Sequence, residues 1–322
     1  MAPRQWLLAL VSVACLGLGG CGSSSGSSSG TSASRTPAPP SEVALTPDEQ
    51  QAWAKLLPDT SAIPVLVYHG LGPKSDFSNP ADANYGVDVD AFSKQMTLMK
   101  HAGYQTIALQ TFIDFVHGKP VELPPRPVLL TFDDARADSW TGGDGILRKL
   151  GFSAVLFVDV GRVEAHDPEY MTWAELNTAE GSGRWNLQLH SGKGHELIRY
   201  GPGPDDFGAS YAYEKEGEDF DGWRGRTRSD IESAQRALAE HVGSYRPLAF
   251  APPFGNYGQE GTNDPRIPGD LLGWLKQRYA AIFTQDRNAR ARPDQAPPYG
   301  RIQVGRTTTG GELYEKLLSG KV

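Results

Sequence analysis

The sequence predicts an α/β fold in which a parallel sheet closes into a distorted (β/α) barrel of seven or eight units, as a single domain; an open doubly wound sheet is the alternative. Three observations carry that expectation. Short apolar, β-branched runs recur along the chain, longer segments of helical periodicity separate them, and polar residues sit where the runs end. A strand that is apolar without interruption is buried on both faces, as in a parallel sheet covered by helices. The sequence shows no internal repeat.

Ahead of the barrel, Met1 to Cys21 carries one early charge, Arg4, then the apolar run Trp6 to Leu18, and closes on Leu18-Gly19-Gly20-Cys21. Residues 1–20 read as a secretory signal, too short for a membrane span. Small residues before a Cys are also what lipoprotein signal peptidase recognises. That makes Cys21 a lipid anchor and places the chain on the outer face of the cell membrane; ordinary cleavage beside an incidental Cys is the alternative. The other cysteine, Cys15, lies inside the signal, so no intramolecular disulfide is expected in the mature chain. Residues 21–60 begin with a Ser/Gly tract to Ser34 and turn Pro-rich through Pro39 and Pro40, which predicts a flexible tether with nothing apolar to bury. Folding is expected from Ser61, giving a domain over 61–322.

The expected strands, in order, are Val65 to Tyr68, Gln105 to Leu109, Val128 to Phe132, Ala154 to Val160, Asn186 to His190, Leu248 to Ala251, Ala281 to Thr284 and Ile302 to Val304. Between and after them, helical periodicity marks Asp90 to Ala102, Leu109 to Val116, Gly142 to Leu150, Thr172 to Glu180, Ser229 to His241, Pro268 to Arg278 and Gly311 to Leu318. Tyr200 to Arg228 fits neither period and reads as a long loop, with a helix starting as early as Glu218. Tyr211, Tyr213 and Trp223 in that loop either offer flat faces to a ligand or, more simply, pack it onto the barrel. The formal net charge is -7 and no basic run stands out, which points away from nucleic acid. No protein partner is indicated.

In a barrel of this kind, chemistry sits in the loops that follow the strands. Tyr68-His69, Asp133-Asp134, His190-Ser191 and Pro252-Pro253-Phe254-Gly255 all fall there. Two adjacent carboxylates leaving a buried strand repel one another and lose hydration. Standing alone, such a pair reads as a helix cap beside a solvated neighbour. A divalent cation that takes one of them as ligand relieves the repulsion and leaves the other as a base. The segment His190-Ser191-Gly192-Lys193-Gly194-His195 adds two imidazoles on a glycine-rich loop. Two His and a carboxylate form a zinc-type ligand set, which also suits cobalt, nickel or iron.

Thr131-Phe132-Asp133-Asp134, the His190 to His195 segment and Pro253-Phe254-Gly255, in that order, resemble the polysaccharide deacetylases of carbohydrate esterase family 4, the nodulation-type deacetylase homology domain. The resemblance runs from about Pro64 to about Asp286. Four residues separate the two histidines where the usual motif has three. With Val67-Tyr68-His69-Gly70, that spacing is more similar to the deacetylases of poly-β-1,6-N-acetylglucosamine matrices than to those of chitin or peptidoglycan. The resemblance implies a metal-dependent N-deacetylase with Asp133 as general base, Asp134, His190 and His195 as metal ligands, the backbone N–H of Phe254 facing the oxyanion and His69 as general acid.

In two places the chain departs from the family pattern. Ala251 stands where an Arg orients the base, and Arg301 to Thr309 lacks the late His. Arg136 is the expected replacement for the Arg, or else faces solvent. An O-acetyl esterase and a catalytically impaired carbohydrate-binding lipoprotein are the alternative functions.

Overall fold

The computed structural model describes residues 35–40, 43–54, 57, 59–79, 82–243 and 245–322. The predicted signal and Cys21 lie outside the described residues. The strands are β1 (Ile63–Tyr68), β2 (Gln105–Thr106), β3 (Pro127–Phe132), β4 (Ala154–Asp159), β5 (Trp185–Ser191), β6 (Leu197–Arg199), β7 (Phe207–Ala209), β8 (Ala249–Phe250), β9 (Ala281–Thr284), β10 (Arg290–Ala291), β11 (Tyr299–Gly300) and β12 (Ile302–Gln303). The helices are α1 (Pro47–Ala54), α2 (Val89–His101), α3 (Leu109–Val116), α4 (Ala137–Leu150), α5 (Val160–Glu164), α6 (Trp173–Gly181), α7 (Phe220–His241), α8 (Ile267–Lys276) and α9 (Gly310–Ser319).

The main sheet runs β10-β1-β3-β4-β5-β8-β9-β11, with β2 beside β3 and β12 beside β1. The segment β11 to β12 nearly closes the ring. Gly300 pairs in parallel with Thr284 on β9, and two residues later Ile302 pairs in parallel with Leu66 on β1. The result is the expected distorted barrel. Strands β1, β3 and β4 are buried along their whole length because both faces are covered. Val65, Leu129, Val155, Phe157, Ala249 and Phe283 pack with Phe112 and Ile113 of α3 in one cluster, the barrel interior. Their neighbours Leu66, Leu130, Leu156, Leu187 and Phe250 pack outward against Phe92, Ile146, Leu176, Ile231 and Leu271 of the surrounding helices.

Most boundaries fall within a few residues of those expected, and three differences have physical causes. Helix α4 starts at Ala137, a turn or more ahead of Gly142, because Gly142 and Gly143 sit inside it against Leu71. Helix α7 starts at Phe220, held by the Asp219 side chain accepting from Gly222 N. Packing also reaches ahead of Ser61. Arg35 lays its guanidinium and its backbone N–H on the buried Glu175 at 2.8 to 2.9 Å, Ala38 N donates to Thr141 O at 2.7 Å, and α1 buries Trp53 edge-on to Tyr314. The expected 21–60 tether is therefore corrected for its described part. A Pro-rich stretch has no apolar face, and this one is held instead by the Arg35–Glu175 ion pair and by hydrogen bonds to backbone carbonyls of Pro168, Tyr170 and Thr141.

Candidate metal centre

Strand parity places the site. Along β3, Leu129 and Thr131 alternate toward the interior, and Asp133 is the next residue in that series; Asp133 N still donates to Tyr68 O, as a strand residue would. The backbone then turns left-handed twice, at Asp134 (φ 72) and Ala135 (φ 57). Left-handed non-glycine residues cost about 1–3 kcal/mol each and cluster at sites. Here the turn swings Asp134 across the barrel mouth toward β5.

Asp134 Oδ1 lies 3.4 Å from His190 Nε2 and 3.4 Å from His195 Nε2. One donor atom from each of these three residues lies within 4.8 Å of the others. His190 is fixed by its far nitrogen, Nδ1, which donates to Ala251 O at 2.6 Å and leaves the Nε2 lone pair free. The ring of His195 stacks on Phe254 with centroids 4.6 Å apart. Phe254 itself is left-handed (φ 60) on the turn after Pro252 and Pro253. Burial alone would push the Asp134 carboxyl up, but His195 and His190 hold it well below the usual carboxylate range. Its Oδ1 is buried without a hydrogen-bond partner in the protein. An anionic oxygen buried between two imidazole nitrogens is what a divalent cation satisfies, so the residues present fit the metal.

Asp133 is held from the opposite side of the barrel. Arg301, between β11 and β12 and fully buried, donates Nη1 to Oδ1 at 2.6 Å and Nη2 to Oδ2 at 2.7 Å. Burial raises the Asp133 carboxyl, and Arg301 together with His190 and His69 more than reverses it, so the group stays below its ordinary value. Arg136, the expected replacement for the orienting Arg, does not reach Asp133. It pairs instead with Asp138 at 2.8 Å and Glu169 at 2.7 Å. Sequence reasoning missed Arg301, although a charged residue lodged between Tyr299 and Ile302 in an otherwise apolar strand was a signal.

His69 follows β1 with Nε2 4.0 Å from Asp133 Oδ2 and its ring 5.4 Å from that of Tyr85. Its Nδ1 faces Gln303 Nε2 at 3.5 Å, which turns Nε2 toward Asp133. Burial pulls the His69 imidazole below its ordinary value, against the pull of Asp134 and Asp133. Asp159, at the end of β4, is a further buried carboxyl beside the site. Burial pushes it up to about 6 against the pull of His195 and His190. Tyr211 and Trp223 do not line the mouth; both are buried and pack the insert.

The polysaccharide deacetylase family matches residues 121–264, a stretch that contains Asp133, Asp134, His190, His195 and Phe254. No curated protein matches the chain. Among solved structures, a de-N-acetylase from Aggregatibacter actinomycetemcomitans is 17% identical with TM-score 0.66, covering 79% of this chain and 99% of its own. IcaB from Ammonifex degensii is 21% identical with TM-score 0.62, covering 81% and 99%. The BpsB deacetylase domain from Bordetella bronchiseptica is 20% identical with TM-score 0.63, covering 77% and 97%. At these identities the structures share the fold. With the metal triad, the family match defines an enzyme, a hydrolase of non-peptide carbon–nitrogen bonds with deacetylase chemistry. Over residues 121–264, less than half of the chain, the sequence is similar to the polysaccharide deacetylases.

Proposed function

We propose that the chain removes N-acetyl groups from an N-acetylglucosamine polymer of the cell envelope, with β-1,6-linked chains as the favoured substrate, zinc as the metal, and a lipid anchor at Cys21. The observation that carries the reading is the convergence of Asp134, His190 and His195 beside a second carboxylate, Asp133, gripped by a buried Arg301. A binding protein has no use for a bare ligand set next to an oriented base, which disfavours the carbohydrate-binding alternative. The likeness to a de-N-acetylase supports an amide over an ester.

A divalent cation held by Asp134, His190 and His195 supplies Lewis acidity toward the acyl oxygen and makes water a better nucleophile. The rest falls to the chain's own groups. Asp133 takes the proton of the attacking water, its plane fixed by the two-pronged Arg301 contact. The backbone N–H of Phe254 faces the oxyanion that forms on the acetyl carbonyl. As the C–N bond breaks, His69 in its imidazolium form gives its Nε2 proton to the amine nitrogen, the water oxygen leaves in acetic acid, and the proton held by Asp133 restores His69.

Acetate release from partially acetylated poly-β-1,6-glucosamine, chitin oligomers and acetylxylan tests the proposal. The zinc-loaded protein should begin ahead of Arg35 so that Glu175 keeps its partner. We expect release from the β-1,6 polymer, lowered about 10²–10⁴-fold in Asp133→Asn with zinc content kept. Release from acetylxylan alone would replace the amide reading with the ester one. No release from any of the three, with one zinc per chain, would overturn the polymer assignment.

A further inference from the structure

We propose that Asp230 is a positioning residue for the metal site, acting through the loop that joins His190 to His195; the inference rests on the metal reading above. Asp230 lies on α7, an element that offers no donor to the metal triad. Its carboxylate accepts the backbone N–H groups of Gly192 at 3.1 Å, Lys193 at 2.7 Å and Gly194 at 3.1 Å. The Tyr211 hydroxyl donates to the same carboxylate at 2.5 Å. Three successive amides turned onto one anion form a nest, and here the anion is a side chain of the protein itself.

The fit leaves the loop little choice of conformation. A Cβ on Gly192 would lie 2.5 Å from Asp230 Oδ1, and one on Gly194 would lie 2.1 Å from Tyr211 Cε1. Tyr211 is buried in turn, its carbonyl accepting from Trp223 Nε1 at 3.0 Å. On the loop's other side, Gly161 N donates to Gly192 O at 2.9 Å. His190 sits on β5 and has its own carbonyl partner, whereas His195 stands at the far end of this loop against Asp134 and the Phe254 ring. Where His195 presents Nε2 therefore depends on where Asp230 holds the three amides. A carboxylate suits the nest because both its oxygens accept; the amide of Asn would turn an N–H₂ toward backbone N–H groups.

The test is zinc affinity of the full chain, measured by competition with a chromophoric chelator, for wild type, Asp230→Asn and Tyr211→Phe. Partners that orient a ligand typically contribute 10–100-fold in metal affinity, so Asp230→Asn is expected to bind zinc about 10–100-fold more weakly. Tyr211→Phe keeps the ring and removes one donor, and is expected to weaken binding several-fold; it carries the test if Asp230→Asn does not fold. A merely structural role would lower the melting temperature of the metal-free protein and leave zinc affinity unchanged. Zinc affinity within about twofold of wild type in a folded variant therefore overturns the proposal. A wild-type chain that binds no zinc would instead bring down the metal reading, and this inference with it.

Discussion

Asp133 and Arg301 meet with almost no solvent on either side, the guanidinium fully buried and the carboxylate 2% exposed. Two charges in such a place hold only as a pair, since removing one partner leaves the other stranded at a cost of about 3–5 kcal/mol. Arg301→Met is expected to lower stability by about that amount in chemical denaturation and to lower kcat as well. Arg301→Lys keeps the charge and loses the two-pronged grip, so it should fall between Met and wild type. Stability of Arg301→Met within about 1 kcal/mol of wild type would contradict this account. The pair also explains how Ala251 is tolerated where the family places an Arg. That position needs only its carbonyl, which fixes His190, while the guanidinium arrives from a different strand.

Among the elements, the described N-terminal segment departs most from expectation. Glu175 caps α6 through Thr172 and takes Arg35 from 140 residues away, with its side chain 1% exposed. Burial raises its carboxyl, and Arg35 with Thr172 brings it down to about 2. A folded value below the ordinary Glu value contributes stability that is complete above about pH 4.3 and lost as pH falls toward 2. Arg35→Ala should cost about 2 kcal/mol at neutral pH, toward the low end because water reaches the Arg35 side. That loss should shrink as acid titrates Glu175. A stability difference that persists unchanged at pH 2 would contradict the assignment. Nothing in the composition of 35–40 announces this contact, because the sequence shows an Arg among prolines and the partner carboxylate lies far along the chain. The barrel strands were legible for the opposite reason. Val128 to Phe132 or Ala154 to Val160 carry their burial in their own residues, and the metal ligands sit at their ends. The short pairings of β6 with β7 and of β10 with β1 were not, since two or three residues in a strand leave no period to read.

For the molecule as a whole, no described helix is long and apolar enough to cross a membrane, so the proposed attachment rests on Cys21. Cys21→Ser is expected to shift the protein from the detergent phase to the aqueous phase on partitioning. Retention in the detergent phase would remove the lipid anchor from the proposal. The barrel is nearly sealed by its last strands, and those strands bring Arg301 to an acid that was synthesised 168 residues earlier. A chain still emerging from a ribosome or a translocation pore thus carries Asp134, His190 and His195 long before it carries the guanidinium that fixes Asp133. On the mechanism proposed above, a product truncated before Arg301 would keep the metal triad but leave Asp133 without its buried counter-ion, and is expected to bind zinc and release no acetate.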